Sequence, residues 1–178
     1  MSGSWITPDR DPRQSDYTRG ERATLVEYLR AHRLTLGLKC DDLTPQELAQ
    51  RSVPPSSLSL LGLVRHMADV EFNWFRRVMG RRPDVPRMWG KSERPDGDFD
   101  GAVGTQECVD EAFALWRAEI AYAESLVDAA DDLAVTGLHG TDGEIELREV
   151  LVHMIEEYAR HCGHADLLRE CIDGRTGQ

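Results

Sequence analysis

The segment HMIEEYARHCGH, residues 153 to 164, contains three of the chain's six histidines and two of its glutamates. Imidazole nitrogens and carboxylate oxygens are common protein ligands of zinc and similar divalent metals. Glu157 and His161 are four residues apart, so on an α-helix they lie one turn above each other and can reach a single ion. The spacing indicates half of a metal site. The alternative is a solvated helix face on which some histidines pack in the core.

Helical geometry separates the polar side chains of this segment. With a rotation of about 100° per residue, the apolar positions between 147 and 172 form one stripe. His161 lies about 50° from the centre of that stripe and Glu157 about 90°, while His164 and His153 lie at about 110° and 130° on the same side. A buried glutamate is costly without a cationic partner, which a metal would supply. We therefore predict Glu157 and His161 as ligands, and His153 and His164 as structural or ligand-orienting residues.

A third ligand should come from a facing helix. His66, in LVRHMADVEFNWF, lies at the margin of the apolar face of that segment. Together with Glu157 and His161 it would give three protein ligands and one open position, which is typical of a catalytic zinc-type site. Glu71 is a further candidate for orienting a ligand. The alternative for His66 is a hydrogen-bonded core histidine without a metal.

Long amphipathic segments must position these residues. Apolar residues recur at helical spacing in four of them: 21–39, 58–79, 106–130 and 146–172. A shorter helix is predicted to begin at Pro45. No segment shows convincing strand alternation, and no internal repeat is present. The fold class is therefore all-α: a four-helix bundle, whose core commonly holds metal sites built from facing helices.

Capping residues mark the expected helix ends. Thr18 and Glu21 suit a capping box, Thr44 and Thr105 suit N-caps, and Gly174 suits a left-handed C-terminal position. We expect a flexible tail over residues 1–19, the bundle over 20–173 and a short tail over 174–178.

The connection over residues 80–104 contains three prolines and several glycines. Loops of this length are often functional or mobile. We expect the MWG sequence at 88–90 to pack over a pocket, where it could cover a hydrophobic electrophile. Among the remaining histidines, His32 is expected to pack within its helix and His139, in a glycine-rich turn, to be exposed.

Composition excludes several classes of protein. The formal net charge is −11 and no Lys/Arg-rich run is present, which disfavours nucleic-acid binding. No apolar run approaches the roughly 20 residues that span a bilayer, and the N-terminal residues lack the apolar core of a secretion signal. The four cysteines show no CxxC spacing, which predicts reduced thiols. We expect a cytoplasmic protein.

Two motifs resemble a known family. SLLGLVRHMADVEFNWF and VLVHMIEEYARHCGHADLLRE are similar to the second- and fourth-helix signatures of the DinB-like superfamily, and the resemblance covers about residues 20 to 173. It implies a four-helix bundle with a metal-binding histidine at His66 and a ligand pair at Glu157 and His161. Many members have histidine where Glu157 stands. The Glu-x3-His pair resembles the variant seen in mycothiol-dependent maleylpyruvate isomerase.

The resemblance also implies a function. Relatives include S-transferases and isomerases that use mycothiol or bacillithiol, in which a metal-bound thiolate attacks a small electrophile. The isomerase has a further C-terminal domain, so a transferase is favoured. The expected cofactors are a divalent metal, with zinc first and nickel, iron or manganese also compatible, and a thiol such as mycothiol. Arg65 and Arg160 adjoin ligands, where they would either meet an anionic cofactor or be solvated.

A second class of function stays open. The same bundle could be a non-catalytic metal-binding or stress-related protein, or a scaffold, because one fold hosts many functions. A homodimer is compatible with either reading.

Overall fold

The computed structural model describes residues 11–13, 19–90, 94–140 and 143–177. The long α-helices are α1 (Glu21–Cys40), α3 (Leu60–Glu71), α5 (Gln106–Ala129) and α6 (Leu147–Asp173). Shorter elements are α2 (Pro45–Leu48), a π-helix (Phe72–Met79), a 3-10 turn (Met88–Gly90), α4 (Gly97–Asp100), β1 (Thr136–His139) and β2 (Gly143–Glu146). The predicted all-α class and four-helix bundle are confirmed.

The core of the bundle lies between the four long helices. Helix α1 packs against α6, α3 packs against α5, and α3 also contacts α6 and α1. Each long helix contributes fully buried apolar side chains, such as Leu36, Leu63, Ala112 and Met154. Removing a leucine or methionine side chain from water contributes roughly 1.5–3 kcal/mol. Burial of this kind holds α3 and α6 face to face.

The helix ends mostly follow the predicted caps. Thr44 and Glu47 form a reciprocal capping box at α2, and the Thr105 side chain accepts a hydrogen bond from the Cys108 N–H at the start of α5. Gly174 ends α6 with a positive φ of 77°. Thr18 lies outside the described residues. Helix α1 begins after Gly20, which makes no side-chain cap.

The second long helix differs from its prediction. Instead of one α-helix over 58–79, α3 continues into a π-helix from Phe72 to Met79. Its backbone hydrogen bonds join residues five apart, as between the Gly80 N–H and the Phe75 carbonyl at 2.9 Å. Trp74 on this segment stacks on His139 at 5.0 Å and contacts the His153 ring at 4.5 Å. Apolar spacing predicts a helix but does not separate a π-helix from an α-helix.

A small antiparallel hairpin was not predicted. Strands β1 and β2 pair from Thr136 opposite Glu146 to His139 opposite Gly143. The backbone of β1 packs closely on the π-helix: a Cβ on Gly137 would lie 2.6 Å from the Val78 carbonyl oxygen. His139 was expected to be exposed, but it is half-buried against Trp74.

The described residues contain no helix that combines the length and the apolar character needed to cross a membrane.

Candidate metal centre

The three predicted ligands lie together between α3 and α6. His66, Glu157 and His161 each offer a ligand atom, and these atoms all lie within 4.8 Å of one another. His161 Nε2 is 3.6 Å from Glu157 Oε2, and the His66 and His161 rings meet edge to face with centroids 4.7 Å apart. Across the described parts of the chain this is the one group of three or more such side chains with that spacing.

The donor set fits a divalent metal. Ligand atoms about 2.0–2.1 Å from a tetrahedral ion lie roughly 3.3 Å from each other, so the cluster needs only a small contraction. The side chains of His66, His161 and Glu157 are 15%, 11% and 26% exposed, which leaves the cluster accessible from solvent. Two imidazoles and one carboxylate are a familiar catalytic zinc set.

Glu157 is held in its anionic form by its neighbours. A hydrogen bond from His161 lowers the pKa of Glu157, and this outweighs partial burial, which would raise it. The nearby His153, His161 and His66 lower that pKa further by their charge when protonated. An anionic oxygen donor beside two imidazoles is what a cation requires.

Asp98 is a neighbour of the site that the sequence did not reveal. Its Oδ2 lies 2.8 Å from His66 Nδ1, and its Oδ1 accepts a hydrogen bond from the Phe99 N–H at 3.1 Å. The side chain is completely buried, and the Phe99 ring stacks on His66 at 5.0 Å. Asp98 comes from the long connection after α3, where no periodicity or spacing links it to His66.

His153 and His164 lie beside the predicted ligands on α6. His164 Nδ1 is 3.3 Å from His161 Nδ1, and His153 Nε2 is 3.5 Å from Glu157 Oε1. Burial lowers the pKa of His164, with the charges of His161 and Arg160 acting in the same direction. An ion would take the place of the proton between His161 Nε2 and Glu157, and His161 could then donate its Nδ1–H to a neutral His164.

Glu71, expected to orient a ligand, lies in a different network. Arg33 donates to both of its carboxylate oxygens at 2.8 Å, and the Tyr158 hydroxyl donates to Oε1 at 2.7 Å. Trp116 Nε1–H in turn donates to the Tyr158 oxygen at 2.7 Å. These bonds within the described residues satisfy a fully buried carboxylate with a guanidinium and a hydroxyl. Glu71 therefore holds the core together and does not contact the three predicted ligands.

The two arginines next to ligands lie in different surroundings. Arg65 is buried and donates to the backbone carbonyls of Asp98 at 2.7 Å and Gly97 at 3.2 Å. Its guanidinium also covers the Trp89 ring at 3.7 Å. Arg160 is exposed. The MWG segment thus packs on Arg65, and its indole Nε1–H donates to the Arg65 carbonyl at 3.1 Å.

The connection after α3 is attached to that helix at several points. Arg87 pairs with the buried Asp69 carboxylate, which also accepts the Met88 N–H at 2.9 Å. Further along, Trp89 and Asp98 contact residues 65 and 66 of α3. Residues 91–93 lie outside the described part of the loop. The described residues 87–90 and 94–101, called here the α3 strap, lie against one side of α3 and bring Asp98 to His66.

Comparison with known proteins agrees with the fold and the motifs. A model of the mycothiol-S-transferase family matches residues 24–174. A search of curated proteins gives no match. The match covers most of the chain, from within α1 to the end of α6, and it confirms the resemblance to the DinB-like superfamily, of which that family is a member. The chain therefore belongs to the mycothiol-S-transferase family.

Proposed function

We propose that the protein is a metal-dependent S-transferase that joins mycothiol to a small electrophile. His66, Glu157 and His161 hold the metal. The observation that carries this proposal is their convergence from two facing helices to within 4.8 Å. Family membership supports the thiol substrate, and the donor cluster supports the metal.

Zinc is the metal that we propose first. Two histidines and one carboxylate suit it, although nickel, iron and manganese accept the same donors. Three protein ligands leave one position open to a substrate. A metal held by His66, Glu157 and His161 would lower the pKa of a thiol coordinated at the open position and would so supply a thiolate nucleophile near neutral pH.

The residues of the chain prepare that chemistry. Glu157 supplies an anionic oxygen, and His164 lies 3.3 Å from His161 Nδ1, where it can hold the orientation of the His161 ring. The Glu157 side chain is 26% exposed, so the thiol of mycothiol would approach the cluster from that side. In the proposed reaction the sulfur would form a bond to an electrophilic carbon of the second substrate. Either a leaving group would depart with its bonding electrons, or, on addition to a double bond, the second atom of that bond would take up the proton released by the thiol.

A reducing compartment suits this activity. All four cysteines, Cys40, Cys108, Cys162 and Cys171, are free thiols. We place the protein in the cytoplasm on that basis, because disulfides are rare there and a thiol co-substrate stays reduced.

The first experiment measures the metal content of tag-free protein by mass spectrometry. Wild type should carry about one metal per chain, and His161→Ala should lose it because one of three ligands is removed. His32→Ala is the matched control, since His32 lies on α1 and is not one of the three clustered side chains, and it should keep the metal. No metal in reconstituted, folded wild type would rule out the proposed mechanism.

A cobalt-substituted sample then tests catalysis. Binding of mycothiol at the open position should change the visible spectrum of the wild-type protein. A cobalt spectrum that ignores added mycothiol would instead identify a closed, non-catalytic metal site in a structural or sensing bundle.

A further inference from the structure

A buried carboxylate lies directly behind the predicted ligand His66. Asp98 Oδ2 and His66 Nδ1 are 2.8 Å apart, and the Asp98 side chain is 0% exposed. The three-ligand cluster alone does not account for a carboxylate from the connection after α3. Its position therefore needs its own explanation.

We propose that Asp98 is a positioning residue, which holds His66 in the tautomer and orientation that present Nε2 to the metal. The inference rests on the proposed function, since it assigns a role within the same site. It extends that function to a residue that contacts no metal and that lies on a separate element.

The hydrogen-bond geometry fixes the tautomer. An ionised carboxylate only accepts hydrogen bonds, so beside an ionised Asp98 the proton of His66 lies on Nδ1. In a neutral ring the lone pair is then on Nε2. Metal-ligating histidines commonly donate their second nitrogen to a carboxylate in this way, which also raises the basicity of the coordinating nitrogen.

Several contacts surround the buried Asp98 carboxylate. Burying an ionised carboxylate is costly unless a positive charge or several hydrogen bonds compensate it. Phe99 N–H supplies one hydrogen bond and His66 another, while the buried Arg65 guanidinium bonds the Asp98 carbonyl nearby. A dication on the far side of the His66 ring would attract the same carboxylate through the ring.

The α3 strap makes the contact rigid. Arg65 holds the backbone of Gly97 and Asp98 on the same turn of α3 that carries His66. The Phe99 ring lies on the His66 ring, and Gly62 gives it room, because a Cβ there would lie 3.0 Å from Phe99 Cδ1. Asp98 is thus held beside His66 in two ways: Arg65 binds the Asp98 backbone, and the neighbouring Phe99 ring packs on the His66 ring.

The test compares Asp98→Asn with Asp100→Asn. Both residues lie on α4, but Asp100 is 68% exposed and pairs with Arg51 at the surface. We expect Asp98→Asn to weaken zinc binding by about 10- to 100-fold in a chelator competition, and Asp100→Asn to leave it unchanged. Circular dichroism and urea unfolding of the metal-free variants check that both fold.

A measurement on the wild type keeps the inference testable if Asp98→Asn does not fold. Nitrogen-15 NMR of the zinc-loaded protein should show His66 with a protonated Nδ1 and a coordinating Nε2. Zinc on Nδ1 of His66 would overturn the inference.

The two proposals fail in different ways. If wild type binds zinc and folded Asp98→Asn binds it equally well, only the role of Asp98 is wrong. If folded wild type binds no zinc, the proposed function fails and the role of Asp98 fails with it. Weaker zinc binding in Asp98→Asn, with a mixture of His66 tautomers, would support both.

Discussion

The four cysteine side chains differ in their access to reagents. Cys40 and Cys162 are buried, and burial raises the pKa of each thiol to about 12, whereas Cys171 is exposed. The thiolate is the reactive form, so at pH 8 the two buried thiols hold only about one part in 10⁴ of it. We predict that iodoacetamide at pH 8 modifies Cys171 first in the native protein, as measured by peptide mass spectrometry.

The raised pKa of the two buried thiols also makes the stability of the fold depend on pH. A thiol whose pKa is higher in the folded than in the unfolded state favours folding at low pH and loses that contribution as the pH rises. For Cys40 and Cys162 the loss begins near the model-peptide value of 9.0 and continues to about 12.

Modification of Cys40 or Cys162 at pH 8 as fast as Cys171 would contradict the burial described here.

The Arg33–Glu71 pair gives a prediction on stability. Glu71→Gln removes the charge that compensates a buried guanidinium, so we expect a loss of about 3–5 kcal/mol in the free energy of unfolding. Metal content should not change, because Glu71 bonds Arg33 and Tyr158 and not a predicted ligand. Urea unfolding and mass spectrometry measure the two effects.

The double variant Arg33→Met with Glu71→Leu is the control for that prediction. Replacing both partners by apolar side chains leaves no unpaired charge, so most of the stability should return. A loss of metal in folded Glu71→Gln would instead restore the ligand-orienting role expected from the sequence.

The candidate site was predictable at the residues that lie on helices. Glu157 and His161 follow from their four-residue spacing, and His66 from its place at the margin of an apolar face. Asp98 was not predictable, because its partner is 32 residues away and no repeat connects a loop to a helix. For Glu71, helical spacing gives the direction of the side chain but not the residues that it contacts.

At the scale of elements, the α3 strap depends on one close approach. A Cβ on Gly97 would lie 2.5 Å from the Trp89 carbonyl oxygen, so Gly97→Ala must displace α4 or the 3-10 turn. We predict a stability loss of about 1–3 kcal/mol, as overpacking usually gives, together with weaker zinc binding. Thermal unfolding and chelator competition measure these effects.

Gly163→Ala is the matched control for Gly97→Ala. Gly163 lies inside α6, and a Cβ there would meet nothing within 4 Å. Replacing a helical glycine by alanine should stabilise the protein by about 0.5–1 kcal/mol. If Gly97→Ala behaved like Gly163→Ala, the strap would not be as tightly packed as described.

The elements themselves were predictable where one period runs through many residues. The four long helices follow from apolar spacing, and their ends follow from Thr105 and Gly174. The β1–β2 hairpin and the π-helix were missed for a common reason. The hairpin and the π-helix pack on each other, Gly137 against Val78 and His139 against Trp74. Contacts between distant segments leave no local pattern in the sequence.

At the scale of the whole molecule, metal binding should stabilise the fold. A ligand that binds only the folded state at 100 times its dissociation constant adds about 2.7 kcal/mol. For a domain of this size that corresponds to a rise of about 5–10 °C in Tm. We predict this rise for zinc-loaded against chelator-treated wild type by differential scanning calorimetry.

His161→Ala is the control in the same scan. It should unfold at the same temperature with and without zinc, because it lacks one of the three donors. An equal zinc-dependent shift in this variant would place the bound metal somewhere other than the described cluster.

The separation of the ligands along the chain has a consequence for the order of events in time. His66 and Glu157 lie about half the chain apart and meet only where α3 contacts α6. Closing so long a segment is slow, so the ion can bind only after the helices have docked. Zinc should therefore leave the refolding rate nearly unchanged and slow unfolding, because the ion stabilises only the structure in which the helices have already docked.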